Sequence, residues 1–371
     1  MPSPAISADC HLNEPPRLWR DRLPARLKDK APRMVICGDG GEGWSMDGKV
    51  PAQGLGLGAM AGQAFEGRGR GLRFEEILPG NYDGKAHLDD LAKDGVYASV
   101  VYAGAAMAGY NLPDRDLGVE VLRVYNDWLI EEFCVDPQRL VGLALLPVND
   151  GMEVTLAELR RCLRKGFRGF YVPAHPARPL HDPHYDPLWA AVQDAEVPLS
   201  FHRNHGDRVN VDPTDNFAAG VVIRDFSAIQ PLSNLIYSGA FDRFPGLKMV
   251  SAETNFGWMP FWIERMEQEF HRHRYSSKLP IQRSPKEFVW ENVFVTTLED
   301  RSAYTMLHLV PVDNIMWSND YPHGASLWPH SQEHIATAMA GVSQEAKVKI
   351  LEDNASRLYK ISKLNGGRRG T

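Results

Sequence analysis

Asp9 and His11 stand two residues apart in the apolar run AISADCH. On an extended strand, positions i and i+2 point to the same face. Both side chains can then address one ion, while Cys10 between them turns into packing. Other apolar runs end in residues of the same kind. His202 closes PLSFH, Glu253 closes LKMVSAE, Asp320 closes NIMWSND, and His175 follows GFYVPA. His202 adds a second imidazole and Asp320 a second carboxylate. That donor set suits a divalent ion, zinc first, with manganese or cobalt also accommodated. Three or four protein ligands plus water leave a position open for catalysis. A DxH pair alone has a plainer reading, in which Asp9 caps a loop and the histidines are satisfied polar residues. The matching places of His202 and Asp320 weigh against it.

Those placements require strands. Eight strand-like runs are visible: Ala5–His11, Ala98–Ala103, Leu140–Val148, Gly169–Ala174, Pro198–His202, Leu247–Glu253, Asn292–Leu298 and Asn314–Asp320. Helical patterns lie between or after them at Asn126–Phe133, Met152–Lys165, Pro187–Asp194, Ala240–Phe244 and Gln344–Ser356, and the tail Asn365–Thr371 reads as frayed. Strand–helix alternation implies a parallel sheet covered on both faces. Eight units are the number for a closed (β/α)₈ TIM barrel, whose chemistry sits at the C-terminal ends of the strands. An open doubly wound sheet would carry a glycine-rich phosphate turn after an early strand, and none stands there. One catalytic domain, residues 1–371, is expected. The long insertion after the first strand, about residues 12–90, reads as a lid or surface excursion, and the chain ends in helices. GLGLGAMAG in that insertion does not match GxGxxG and follows no strand, so it is not read as a nucleotide loop.

Composition narrows the class. Apolar residues make up 43% and charged residues 24%, which is ordinary for a globular protein. Lysine and arginine number 41 against 47 acidic residues, a net charge of −6 with no basic stretch, so nucleic acid is not an expected partner. The longest apolar run, Ala98 to Tyr110, is 13 residues broken by glycines and too short for a bilayer. No signal peptide is visible in MPSPAISADC, and four cysteines make no disulfide framework, so a reducing cytoplasm is expected. GxSxG is absent and there are no CxxC pairs, which removes a serine triad and a structural zinc site.

Four blocks in order carry a family resemblance: DCHLNEPPRLW, DPHYDPLWAAVQDAEVPLSFH, FDRFPGLKMVSAETNFGWMP and MWSNDYPHGASLWPHS. They resemble the amidohydrolase-related proteins close to aminocarboxymuconate-semialdehyde decarboxylase. The resemblance covers residues 5 to about 360. It implies a mononuclear metal site with Asp9, His11, His202 and Asp320 as ligands, Asp320 doubling as an acid/base group. Asp9 stands where characterised decarboxylases carry histidine or glutamate. No lysine ends the fourth strand, which argues against a binuclear centre. The histidine those decarboxylases carry after strand six is absent from AETNFGW; Glu253 is the nearest ionisable residue, and a catalytic role for it follows.

His175 is a further catalytic candidate. Arg203, Asn255, Trp258, His323 and Glu14 are the candidate substrate-side residues. Arg203 would pair with a substrate carboxylate, and Glu14 could instead support a ligand from behind. His181, His184, His205 and the HRHRY stretch at 271–275 read as loop or surface residues. The activity implied is decarboxylation of a small aromatic or unsaturated carboxylic acid. The alternatives are hydrolysis of an amide, ester or lactone by metal-activated water and a ligand-binding barrel without turnover. The resemblance also implies a homodimer.

Overall fold

The computed structural model describes residues 5–51, 54–64, 66, 71–203 and 217–363. Eleven strands occur among them: β1 Ala5–His11, β2 Arg33–Ile36, β3 Glu42–Ser45, β4 Val96–Tyr102, β5 Leu140–Gly142, β6 Ala144–Leu145, β7 Phe170–Tyr171, β8 Leu199–His202, β9 Met249–Ala252, β10 Val293–Thr297 and β11 Ile315–Trp317. All but β2 and β3 pair in parallel, in the orders β1-β4-β5 and β6-β7-β8-β9-β10-β11. The run read as one strand from Leu140 breaks at Leu143. There the chain passes its hydrogen bonds from one neighbour to the next: Leu143 N donates to Val101 O at 3.0 Å and Ala144 N to Gly169 O at 3.2 Å. The ring closes just beyond β11, where His11 N donates to Tyr321 O at 2.7 Å and Asp320 N to Asp9 O at 3.1 Å. The result is the expected eight-stranded barrel, β5 and β6 counting as one strand. Its strands are buried, with Tyr97 of β4 the one partly exposed position, because helices cover the outer face.

The helix Met152–Lys165 stands where its period and Gly166 place it; Gly166 closes it at φ +96°. The helix expected at Asn126–Phe133 begins earlier. Asp114 caps it, accepting from Leu117 N at 3.2 Å, and it runs Arg115–Trp128 before a π-turn over Leu129–Phe133. The C-terminal helix starts at Gln344 as expected, passes a π-turn at Lys349–Asp353 and ends as Asn354–Tyr359 against the barrel. Asn354 Nδ2 donates to Ile315 O at 2.7 Å, and Tyr359 Oη lies 3.3 Å from Ser200 Oγ.

Between β1 and the helix Gly84–Lys93, β2 and β3 pair as an antiparallel hairpin. Ala59, Met60, Leu72 and Ile77 form a small apolar cluster of their own there. Glycines let main chain cross main chain: a Cβ at Gly41 would lie 2.7 Å from Gly71 Cα, and one at Gly54 would lie 2.9 Å from Glu42 N. Asp39 ties the crossing, accepting from Gly41 N at 3.0 Å and Gly54 N at 3.1 Å. His205 and the tail 365–371 lie outside the described residues. Among the described residues, no helix is long and apolar enough to cross a membrane.

Candidate metal centre

β1 brings Asp9 and His11 to one point through a bulge. Ser7 pairs with Ser99 and Cys10 with Val101, so β1 runs three residues where β4 runs two. Such bulges re-aim side chains beside functional sites. Cys10 turns away, its Sγ donating to Asn319 Oδ1 at 3.2 Å. His202 ends β8 with Nδ1 2.6 Å from Arg203 O, which leaves Nε2 facing inward. Glu253 and Asp320 follow β9 and β11, each at φ +54°. A non-glycine residue in that region costs on the order of 1–3 kcal/mol and persists only where its surroundings impose it.

The donor atoms converge. His11 Nε2 lies 3.3 Å from Asp9 Oδ1 and 3.3 Å from Asp320 Oδ1. His202 Nε2 lies 3.2 Å from His11 Nε2, 3.6 Å from Asp9 Oδ2 and 3.1 Å from Glu253 Oε2. Donors about 2.1 Å from one tetrahedral ion stand about 3.4 Å apart, which is the spacing here. Asp9 Oδ1, Glu253 Oε2 and both Asp320 carboxylate oxygens are buried, and among the described residues they have no hydrogen-bond partner outside the histidines of the cluster. Buried carboxylate oxygens left so are costly, and a cation among them removes the cost. The residues therefore fit a divalent ion. Two overlapping groups of ligand atoms qualify, Asp9–His11–His202 and His11–Glu253–Asp320–His323, with His11 in both.

Without an ion, the groups pull one another's proton affinities apart. Burial would raise Asp9, but His202 and His11 outweigh it and hold the carboxyl well below its usual range. Burial would lower His202, yet Asp9 and Glu253 push it up to about 9. Burial, then His323, bring His11 down to about 4. Burial and the Asp320 charge push Glu253 up to about 7. Proton affinities spread this way within a few ångströms mark a functional cluster.

A cavity of about 260 Å³ opens over the donors, lined by His11, Leu12, Asn13, Gly58, Ala103, Gly104, Ala105, Met107, His202, Arg203 and His323. Arg203 reaches it between two carboxylates, with Nη1 2.6 Å from Asp225 Oδ1 and Nη2 2.5 Å from Glu253 Oε1. Its Nε is buried with no hydrogen-bond partner among the described residues. His323 stacks on His11 with ring centroids 3.8 Å apart and sets Nδ1 2.9 Å from Asp320 Oδ1.

Other candidates stand elsewhere. Glu14 does not line the cavity. Its carboxylate accepts from Gly104 N, Ala105 N and Ala106 N at 3.2, 2.9 and 3.0 Å, and so fixes the loop that forms one cavity wall. Asn255 spends its amide on Asp225 Oδ2 at 3.0 Å and its oxygen on Leu298 N at 3.1 Å. Trp258 is buried, with Nε1 donating to Thr254 O at 2.8 Å and its ring against Trp262. His175 lines a separate cavity with His181, Gln230 and Asn234 and joins neither group of ligand atoms. Asp225, which joins Arg203 to Asn255, carries no sequence signal: it sits after an apolar helical stretch like any surface acid. Gly58 comes from the GLGLGAMAG stretch, whose composition does not reveal what it covers.

Residues 62–361 match the family model described as Amidohydrolase. Gamma-resorcylate decarboxylase of Rhodococcus jostii (strain RHA1) is 29% identical across 68% of this chain and 80% of its own length. In fold, the chain is similar to an amidohydrolase from Mycobacterium avium subsp. paratuberculosis K-10, with a TM-score of 0.79 at 20% identity over 96% of this chain and 99% of that one. It is also similar to a dihydroxybenzoic acid decarboxylase from Polaromonas sp. JS666, solved with bound manganese and the inhibitor 2-nitroresorcinol. There the TM-score is 0.66 at 20% identity over 97% and 98% of the two chains.

Proposed function

This chain belongs to the amidohydrolase family, and from that premise we propose that it is a metal-dependent carboxy-lyase acting on a small aromatic carboxylic acid. The observation that carries the proposal is the set of buried carboxylate oxygens that face only the histidines of the cluster, His11 and His202 among them, under a cavity that Arg203 enters. A cavity of about 150 Å³ takes a benzene ring, so about 260 Å³ takes one substituted ring. The relatives in Rhodococcus and Polaromonas are named as decarboxylases of such acids.

Asp9, His11, His202 and Asp320 would hold one divalent ion. When bound, the ion supplies positive charge for the substrate's carboxylate and a neighbouring oxygen, and for negative charge that develops as CO₂ leaves. Manganese is the first choice, since the donors include carboxylates and the Polaromonas relative carries it; zinc is the alternative that metal analysis would reveal. Arg203 pairs with the substrate carboxylate through its guanidinium. Leu12, Ala103 and Met107 exclude water from the ring. Loss of CO₂ leaves a carbon that must receive a proton. Asp320, with His323 2.9 Å away to resupply it, is the group placed to give it. Glu253 is the second acid/base candidate, and its pairing with Arg203 orients the carboxylate end of the substrate. The insertion, about residues 12–90, acts as a cover through Gly58.

The test is turnover of a panel of mono- and dihydroxybenzoates, together with aryl esters and lactones, by manganese-loaded protein in ¹⁸O-water. CO₂ release with one hydrogen gained by the ring and no ¹⁸O in the aromatic product is expected. Ester or lactone cleavage that places ¹⁸O in a product carboxyl would make it a hydrolase instead. Binding without any product would leave a barrel that only holds its ligand.

A further inference from the structure

Asp320 is bracketed by two residues whose side chains run away from the cavity. On one side, Asn319 Nδ2 donates to Asp94 Oδ2 at 3.0 Å, while Asn319 Oδ1 accepts from Cys10 Sγ at 3.2 Å. On the other, Tyr321 Oη donates to Asp90 Oδ2 at 2.5 Å. Asp90 lies in the helix Gly84–Lys93 and Asp94 caps its C-terminal end. Residues four apart share a helix face, and this face carries two buried carboxylates, 6% and 2% exposed. Both are held by other partners too. Asp94 accepts from Ser331 N at 2.8 Å, and Asp90 pairs with Lys93 Nζ at 2.7 Å.

An amphipathic helix packed on a barrel needs no acids on its inner face, and burying them is costly. What Asp90 and Asp94 have in common is the two neighbours of Asp320. Asp320 itself sits at φ +54°, and among the described residues its carboxylate has no partner outside the histidines of the cluster, with His323 Nδ1 2.9 Å from Oδ1. Its place relative to Asp9 and His11 depends on the main chain on either side of it, which also closes the barrel. Gly80 supports the same arrangement, since a Cβ there would overlap Tyr321 Oη and Asp90 Oδ2.

We propose that Asp90 and Asp94 are positioning residues that clamp Asn319 and Tyr321 from one helix, and so set the distance between the Asp320 carboxylate and the Asp9–His11 pair. The inference rests on the metal-centre reading above. Through Cys10, which lies between Asp9 and His11, the Asn319 arm reaches both sides of that distance.

The experiment compares wild type with Asp94→Asn, Asp90→Asn and the control Glu158→Gln. Glu158 is a buried carboxylate of the helix Met152–Lys165, bonded to Asn126 and Arg161 and absent from both groups of ligand atoms. Manganese affinity is read by chelator competition, kcat and KM by turnover, and folding by Tm. Both clamp variants should bind manganese roughly 10–100-fold more weakly, the range seen when a partner behind a metal ligand is removed. Their kcat should fall with little change in KM. Glu158→Gln should lower Tm and leave manganese affinity intact. If Asp90→Asn does not fold, Tyr321→Phe removes only the hydroxyl of the same arm and should weaken manganese several-fold. Unchanged affinity in folded Asp94→Asn and Tyr321→Phe, or an equal loss in Glu158→Gln, overturns the clamp. A wild-type protein that takes up no divalent ion overturns the metal centre itself, and the clamp with it.

Discussion

The seam where β11 meets β1 and the rim after β8 and β9 hold the same kinds of side chain under different terms. At the seam, the oxygens of Asp9 and Asp320 that face His11 have only histidines beside them, and the neighbours of Asp320 are tied by hydrogen bonds to Asp90 and Asp94. At the rim, Glu253 is paired through Oε1 with a guanidinium, Arg203 at 2.5 Å, and Arg203 is shared with Asp225. A carboxylate flanked only by imidazoles is poised to take a metal. One already paired with a guanidinium is poised to orient a substrate or move a proton. The lesson is that residue type names the chemistry available, and the partner decides which part of it is used.

The largest expected effect separates seam from rim. His11→Ala or His202→Ala should release the ion and reduce turnover by more than the roughly 10–100-fold an outer partner is worth; full metal content by mass spectrometry in either variant would break the assignment. Glu253→Gln should keep the ion and lower kcat by roughly 10²–10⁴-fold, the span of general acid–base catalysis. If the ion leaves with it, Glu253 belongs to the seam after all.

The same variant sharpens the comparison through pH. Glu253 is pushed from 4.5 up to about 7 in the metal-free protein. The folded chain then keeps a proton there that the unfolded chain has released. That contribution to stability is whole below about pH 4.5 and is lost as pH rises through 7. Among chelated samples, Glu253→Gln should gain in Tm over wild type across that window, and a gap independent of pH would contradict the burial and charge argument.

Smaller effects probe the rim alone. Asp225→Asn should loosen Arg203 and raise KM for a carboxylate substrate about tenfold, since a hydrogen bond between charged groups is worth about 1.5–3 kcal/mol. Its kcat should change less, and a pure kcat effect would point to chemistry instead of binding. Trp258→Phe removes one buried hydrogen bond, to Thr254 O, and should lower stability by about 1 kcal/mol with metal affinity unchanged.

Much of this was legible in the sequence. β1 reads correctly because a short apolar run with period-two chemistry has few other solutions, and the residues after β8, β9 and β11 meet as expected because a barrel sends them to one rim, whereas His175, beyond β7, lines a separate cavity. The convergence of Asp9, His11, His202, Glu253 and Asp320 follows from that topology. The start of the helix at Arg115 is less visible, because its signal is one capping acid, Asp114, in a polar stretch. Glu14, Trp258 and Asn255 illustrate a second limit. Each is near the site in sequence terms, yet each uses its polar atoms on nearby main chain or side chain, and only coordinates reveal who the partner is. Asp90 and Asp94, in LDDLAKD, carry no motif that singles them out in the sequence, and their role emerges only from their partners Tyr321 and Asn319.

The glycine crossing beneath the insertion bears on how such a protein can change over generations. Barrel enzymes diversify by exchanging the loops above a constant frame. Here part of that region is woven, with Gly41 against Gly71 and Gly54 against Glu42, and no side chain fits at either contact. Drift at those positions is closed off, and variation is steered to residues that project outward from the hairpin, such as Ile36. The segment whose composition suggests slack is thus fixed at two of its glycines, so new substrate preferences would arise at Met107 and its neighbours before they arise at those crossings.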